Sequence, residues 1–483
     1  MIKFSLAKRT QPKISVNIGA LFDVPTGSFI TGARGETIMN AGLSNLTSIV
    51  GAGNSFKSTI LHYMMLSAAN KIKYTSETAM TTYDTEVNIS LDRLTNLATK
   101  FENFGEDVIM GEDPVWTITD KSLATADEWV NELNKYADAK MKDKKSMLTY
   151  TGFKDPYNKK PLEVVIPTFV EIDSLSEFEA SSTVDLMDKD LDDSKTNTAF
   201  MKQGLFKTKF LSTLPRLSNS ANMYILTTAH IGEKIDMSSG PAMYNQPTKK
   251  LQYLKQGDAI KGVSNKFFFL INNGWYAHTA RVLKNQTTRL PEYPKSKTDN
   301  SETELNAVRL TALRSKSGAS GFTIELVISQ NEGVLPSLTE FHYIKSNGRY
   351  GIDGSMTNYH LDLLPDMNLS RTTIRRKIDE NANLRRALNI SSEMLQLGTF
   401  HPQYISNGLL CTPKELYDDL KAMGYDWDIL LNTRGFWIPD QYTKDVIPFL
   451  STIDLLKMRK GEYVPYWYDK SKLKLEKKDG QEK

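Results

Sequence analysis

Cysteine is almost absent. Cys411 is the single one in 483 residues, so neither an internal disulfide nor a cysteine zinc site is available. A reducing compartment is the simplest expectation: the cytoplasm, or a host cytoplasm if the chain is phage-encoded. Long apolar runs are missing too. No uninterrupted stretch reaches the ~20 residues that a membrane helix needs. The first residues, Met1 to Arg9, lack the apolar centre of a signal peptide. No membrane partner is therefore expected. Nor is there an excess of one charge: 60 basic against 57 acidic residues leaves +3. A nucleic-acid site would have to be local rather than a property of the whole surface. No internal repeat is visible. A hydrophobic fraction of 40% and a charged fraction of 24% exclude wholesale disorder and collagen-like structure.

What is present reads as α/β. Short β-branched runs at Leu46–Val50, Val164–Ile172, Met223–Thr228, Phe267–Ile271 and Phe322–Ile328 alternate with helical stretches. That alternation predicts a mainly parallel sheet covered by helices. Two stretches interrupt it. Lys140–Pro161 is polar and basic with turn signals, and reads as an inserted loop or hairpin. Ile231–Gly262 has little periodicity and reads as a long functional loop. Lys13–Ile18 alternates apolar and polar, as a half-buried strand would. We take it as a candidate for docking on a neighbour's sheet edge. Ser370–Leu397 is helix-patterned with basic clusters. Thr412-Pro413-Lys414-Glu415 gives a helix an N-cap, a first-turn proline and a capping-box glutamate. Trp427, Trp437, Trp467, Tyr463 and Tyr466 suggest a small C-terminal core.

The strongest motif is Gly51-Ala52-Gly53-Asn54-Ser55-Phe56-Lys57-Ser58-Thr59, between a predicted strand and a predicted helix. In that context the backbone N–H groups of the turn point at phosphates. Lys57 supplies positive charge and Ser58 a hydroxyl for Mg²⁺. Phe56 stands where glycine is usual, which requires a negative φ or a tolerated strain. Asp173 ends an apolar run and would sit at the ligand edge of a parallel sheet, able to hold Mg²⁺; as a helix N-cap it would serve structure alone. Glu86, in Tyr83-Asp84-Thr85-Glu86, follows another strand end, where a carboxylate can deprotonate water; taken alone it reads as an ordinary acidic residue in a first helical turn.

Together these segments resemble the RecA family, and most closely its phage UvsX-like branch, over residues 20–350. Ser-Phe-Lys-Ser in the loop is a trait of that branch. The resemblance implies a RecA-like P-loop ATPase core with a central, mainly parallel sheet, plus a small, mostly helical C-terminal domain. We divide the chain into a lead or oligomerisation segment (1–30), the core (31–355), the C-terminal domain (356–469) and a basic tail (470–483). By the same resemblance, Glu86 is the catalytic carboxylate and His230 senses the γ-phosphate. Lys316 or Arg314 reaches the ATP of the next subunit. ATP with Mg²⁺ is the implied cofactor, and a helical filament of identical chains the implied assembly. Its partners would be single-stranded and then duplex DNA, with single-strand-binding and mediator proteins. Two other readings share the core: a hexameric replicative helicase, and a non-catalytic nucleotide-binding filament or mediator protein.

Two loops would face DNA. The first, Leu175–Thr196, is rich in Asp and Ser. The second offers Lys234, Lys249, Lys250, Lys255 and Lys261 interleaved with Tyr244 and Tyr253. Lysines neutralise phosphates and aromatics stack on unpaired bases, which suits single strands without sequence preference. The basic segment Arg371–Arg386 would either gather duplex DNA or form a solvated helix face.

Overall fold

The computed structural model describes residues 13–155, 158–181, 193–233, 253, 258–261, 263, 265–296, 303–316 and 318–473. Their centre is a mixed sheet of eleven strands. Six neighbours run parallel, in the spatial order Asn273–Ala277, Leu46–Gly51, Met223–Glu233, Thr168–Asp173, Ala79–Asp84 and Trp116–Asp120. Beyond Asn273–Ala277 the sheet continues antiparallel through Leu305–Ser315, Thr323–Ser329 and Gly333–Val334. The short strands Asp258–Ile260 and Arg281–Val282 pair at its margins.

Leu46–Gly51 and Thr168–Asp173 are buried at every position, as strands covered on both faces must be. One cover is the helix Lys57–Lys73, whose Ile60, Met64 and Ala68 join the main core. The other is formed by Ala126–Lys142 and Asp193–Ser220, where Trp129, Leu211 and Leu214 pack on Val170, Ile172 and Ile225.

Three of the five predicted runs coincide with strands of this sheet. Val164–Ile172 does not stay whole. Near Pro167 it divides into Pro161–Val165 and Thr168–Asp173, which belong to different sheets. Phe267–Ile271 is helical, Asn265–Leu270, and the strand follows at Asn273–Ala277. A short apolar run lacks the length that separates strand from helix. The polar insertion forms the hairpin Leu148–Lys154 and Pro161–Val165, and its Phe153 and Leu162 are fully buried.

The segment Lys13–Ile18 is not free for a neighbour. Ile14, Val16 and Ile18 lie in the chain's own core. Val16 exchanges backbone hydrogen bonds with Leu43, and the Tyr224 hydroxyl donates to Ile14 O. Its alternation finds an apolar partner within the same chain. The C-terminal elements are equally joined to the rest. Their core includes Leu416, Leu430 and Leu456 together with Val24 from the lead and Met39 and Ala41 just beyond it. Trp427, Trp467 and Tyr463 belong there, whereas Trp437 packs on Phe153 in the main core. The expected capping box of Thr412 and Glu415 is formed. Among the described residues, no helix is long and apolar enough to cross a membrane.

Candidate functional site

Strand register gathers the singled-out segments at the carboxyl ends of the parallel strands. Gly51 is the cross-strand partner of His230, and Asp84 that of Asp173. Ile172 pairs with Thr227, so Asp173 and Thr228 come next to each other, and the Thr228 hydroxyl donates to Asp173 Oδ1. Such an edge is where open α/β sheets bind ligands.

The turn Gly51–Phe56 leads straight into the helix Lys57–Lys73. Asn54 and Phe56 both have a φ of 57°. The backbone of Phe56 is therefore left-handed, a conformation costing about 1–2 kcal/mol in a residue with a Cβ. The half-buried ring packs on the main core and offsets part of that cost. Inside the turn, Lys57 Nζ donates to Ala52 O at 2.7 Å, and so does Ser55 Oγ at 2.8 Å. Burial pushes the Lys57 ammonium down, while Asp173 and Glu86 oppose that shift. A Cβ added at Gly53 would meet nothing within 4 Å, so the loop leaves open space there. Room, a turn at a helix N-terminus and a lysine within the field of two carboxylates suit a polyphosphate. Ser58 and Asp173 offer the oxygen donors that Mg²⁺ takes.

Glu86 is poised over this edge. Its Oε1 lies 2.9 Å from His230 Nε2, and Asn88 Nδ2 donates to its Oε2. His230 is fixed in turn by its own backbone N–H, which donates to Ser176 Oγ. Glu86 precedes its helix, which begins at Leu91, so it is not a first-turn residue. The residue that shapes this segment is one sequence reading passed over. The carboxylate of Asp84, buried at the strand end, accepts the backbone N–H groups of Glu86, Val87, Asn88 and Ile89 at 2.9–3.0 Å. An Asp two residues before a Glu at a strand end was the available signal.

Beneath Asp173, His62 Nδ1 lies 2.7 Å from Glu171 Oε1. Both are buried, His62 on the Lys57–Lys73 helix and Glu171 on the Thr168–Asp173 strand. Burial pushes His62 down but the Glu171 carboxylate outweighs it, so the imidazole is raised; burial also raises Glu171. The pair ties the helix to the strand that carries Asp173.

An open slot of about 90 Å³ runs along the helix from Thr59 past Tyr63 to Leu66. Its other wall is Leu97, Lys100 and Phe101, with Glu332, Gly333, Val334 and Pro336 at the far side. Gly333 has a φ of +74°, and a Cβ there would come within 2.8 Å of Leu97 Cδ2. Glycine is what lets this turn close on the slot.

Lys316 and Arg314 are not brought to this edge. Arg314 pairs with Gly274 in the strand whose Ala277 partners Gly51. That places it about 10 Å back along the sheet, at ~3.3 Å per residue. Lys316 Nζ donates to Phe269 O and Leu270 O, capping the helix Asn265–Leu270. Burial and the neighbouring Arg314 both lower its ammonium.

Of the loop residues, Lys261 sits at the root, its N–H donating to His230 O and its exposed side chain lying over Gly232. Tyr253 is partly exposed against Gly321. Lys234, Lys249, Lys250, Lys255 and Tyr244 lie outside the described residues, as does much of the first loop. In the basic segment 371–386, Arg376 and Arg385 are exposed while the other cations are buried or half-buried. Arg375 is buried between Glu304 and Glu332, Arg386 is buried with Nη1 on Asn389, and Arg376 pairs with Glu380. Arg371 and Lys377 donate to Pro291 O and Asn368 O. Each charge there answers a partner of the same chain.

Compared with known proteins, the chain matches no protein-family model and no curated sequence.

Proposed function

We propose that the chain is a RecA-like, ATP-dependent recombinase: a DNA-dependent ATPase that assembles as a helical filament on single-stranded DNA and pairs it with duplex DNA. The observation that carries the reading is the register that aligns Gly51 with His230 and Asp84 with Asp173 at one sheet edge. It unites a phosphate-suited turn, a lysine, a candidate base and a polar sensor. In this reading the turn Gly51–Thr59 binds the triphosphate. Lys57 exchanges Ala52 O for phosphate oxygens. Ser58 and Asp173 would hold Mg²⁺, which supplies charge neutralisation of the phosphates. Glu86 takes the proton of the attacking water. His230, now bound to Glu86, would exchange that carboxylate for the γ-phosphate and pass the change to the segment that follows its strand.

The test pairs two variants. Lys57→Ala should abolish hydrolysis and weaken nucleotide binding. Glu86→Gln should keep binding and lower turnover by ~10²–10⁴-fold, a general base's contribution, leaving an ATP-bound, DNA-bound state. Wild-type turnover in Glu86→Gln would sink the assignment of the base. Electron microscopy with single-stranded DNA and ATP separates a filament from a helicase-like ring.

A further inference from the structure

The slot beside the Gly51–Phe56 turn has one ionic wall that the proposed chemistry leaves unused. Glu332 stands there at the turn before Gly333, and both of its oxygens face cations. Lys295 Nζ is 3.0 Å from Oε1, and Arg375 Nη2 holds Oε2. Arg375 comes from the helix Ile374–Glu380, beyond the sheet, and its side chain is 5% exposed. Its other nitrogen and Nη2 together grip Glu304 at 2.7 and 3.0 Å. Burial pushes the Glu332 carboxyl up, but the hydrogen bonds and charges of Lys295 and Arg375 outweigh it and hold it below its usual value. The group facing the slot is thus an oriented, ionised carboxylate that can accept hydrogen bonds and donate none.

The slot starts at Thr59, directly after Lys57 and Ser58; besides the exposed Lys100 at its rim, its other walls are mostly apolar or aromatic, including Tyr63, Leu66 and Phe101. A flat heterocycle attached to a triphosphate in the turn would lie along this helix face. We propose that Glu332 selects the nucleobase in this slot, favouring a purine that presents a 6-amino donor over one that presents a 6-oxo acceptor. Arg375 is the positioning residue that fixes Glu332, so a residue from beyond the sheet sets base choice. The inference rests on the nucleotide-binding reading above. A 6-oxo group would put an acceptor against a half-buried acceptor, and such unpaired polar contacts discriminate more strongly than apolar fit does.

The experiment compares ATP with inosine triphosphate, which replaces the 6-amino donor by a 6-oxo acceptor and carries a proton on N1. Affinities are measured by titration calorimetry on the full chain, for wild type, Glu332→Gln, Arg375→Met and Lys57→Ala. Wild type should prefer ATP by about tenfold or more. Glu332→Gln carries both a donor and an acceptor, so the preference should fall to within about threefold, with inosine triphosphate binding no weaker than before. Arg375→Met should lower the preference while leaving inosine triphosphate affinity in place; a merely loosened fold would weaken both nucleotides alike. Should Arg375→Met not fold, Glu332→Gln decides by itself. Equal wild-type affinity for the two nucleotides, with both lost in Lys57→Ala, overturns the inference and leaves the nucleotide site standing. An unchanged preference in Glu332→Gln overturns it as well. Binding of neither nucleotide by wild type removes the underlying reading and this inference with it.

Discussion

Asp84 does with one carboxylate what a helix N-terminus does with several turns of backbone: it organises N–H groups into a fixed local geometry. Four successive amides converge on it, and the segment they belong to delivers Glu86 to His230. Hydrogen bonds to an ionised acceptor are the stronger kind. Asp84→Asn turns one oxygen into a donor that faces N–H groups, so two of the four bonds are lost. The expected cost is about 3 kcal/mol of stability, with ATP turnover falling toward that of Glu86→Gln. Nucleotide affinity, which the proposed function assigns to Lys57 and the turn, should change little. Calorimetric melting and steady-state hydrolysis check this; full turnover in a folded Asp84→Asn would show that the segment holds its shape without the carboxylate. Phe56 bears on the same edge in the opposite sense. The strand–turn–helix around Gly51–Thr59 was legible because its signals are local in sequence. The left-handed φ was not, because a ring packing on a distant core decides whether the strain is tolerated.

Among elements, what could be read depended on where the deciding contact lay. The Thr412–Glu415 capping box involves four consecutive residues and forms as the spacing predicts. The helix Asn265–Leu270 was mistaken for a strand because its apolar run is short, and a cation from a later strand end, Lys316, satisfies its last carbonyls. The partners of the basic cluster at 371–386 were hidden for a related reason. Charge on a sequence is visible, but Glu304 and Glu332, which neutralise Arg375, stand far away in the chain. At Lys316 the helix cap seen in the structure can be separated from the trans role that the proposed filament gives it. As a helix cap it is worth ~0.3–1 kcal/mol, so Lys316→Ala should lower the melting temperature only slightly. As a cation that serves the next subunit, its loss should abolish DNA-dependent hydrolysis. Mixing Lys316→Ala with Lys57→Ala should then restore part of the activity, since some interfaces combine an intact turn with an intact trans cation. Co-assembly without recovery would leave Lys316 as a cap alone.

At the scale of the whole molecule, the lead, the sheet and the C-terminal helices meet around buried charge that no local pattern announces. Asp23 accepts the N–H groups of Ile18 and Gly19, and Lys71 of the Lys57–Lys73 helix lies close enough to affect its charge. Across from them, Asn389 donates to both Glu340 Oε1 and Glu393 Oε1 at 3.1 Å, and Arg386 donates to Asn389. Fully ionised, Asp23, Glu340 and Glu393 would outnumber Lys71 and Arg386 by one. Burial resolves the excess at Glu340, whose carboxyl is pushed up to about 8 from an ordinary 4.5. Lys71 is pushed down to about 8, again by burial. For Glu340 the folded form holds a proton that the unfolded chain releases. Its contribution is complete below pH 4.5 and is lost as pH rises through about 8. Glu340→Gln keeps an oxygen for Asn389 and removes the titration. Against wild type it should therefore be nearly neutral at pH 5 and increasingly stabilising toward pH 8, by a total of ~2–4 kcal/mol. Denaturant unfolding of both proteins across pH 5 to 9 measures that divergence. A constant difference over the range would mean that Glu340 is already ionised in the fold and that another member of the cluster, Glu393 or Asp23, keeps the proton.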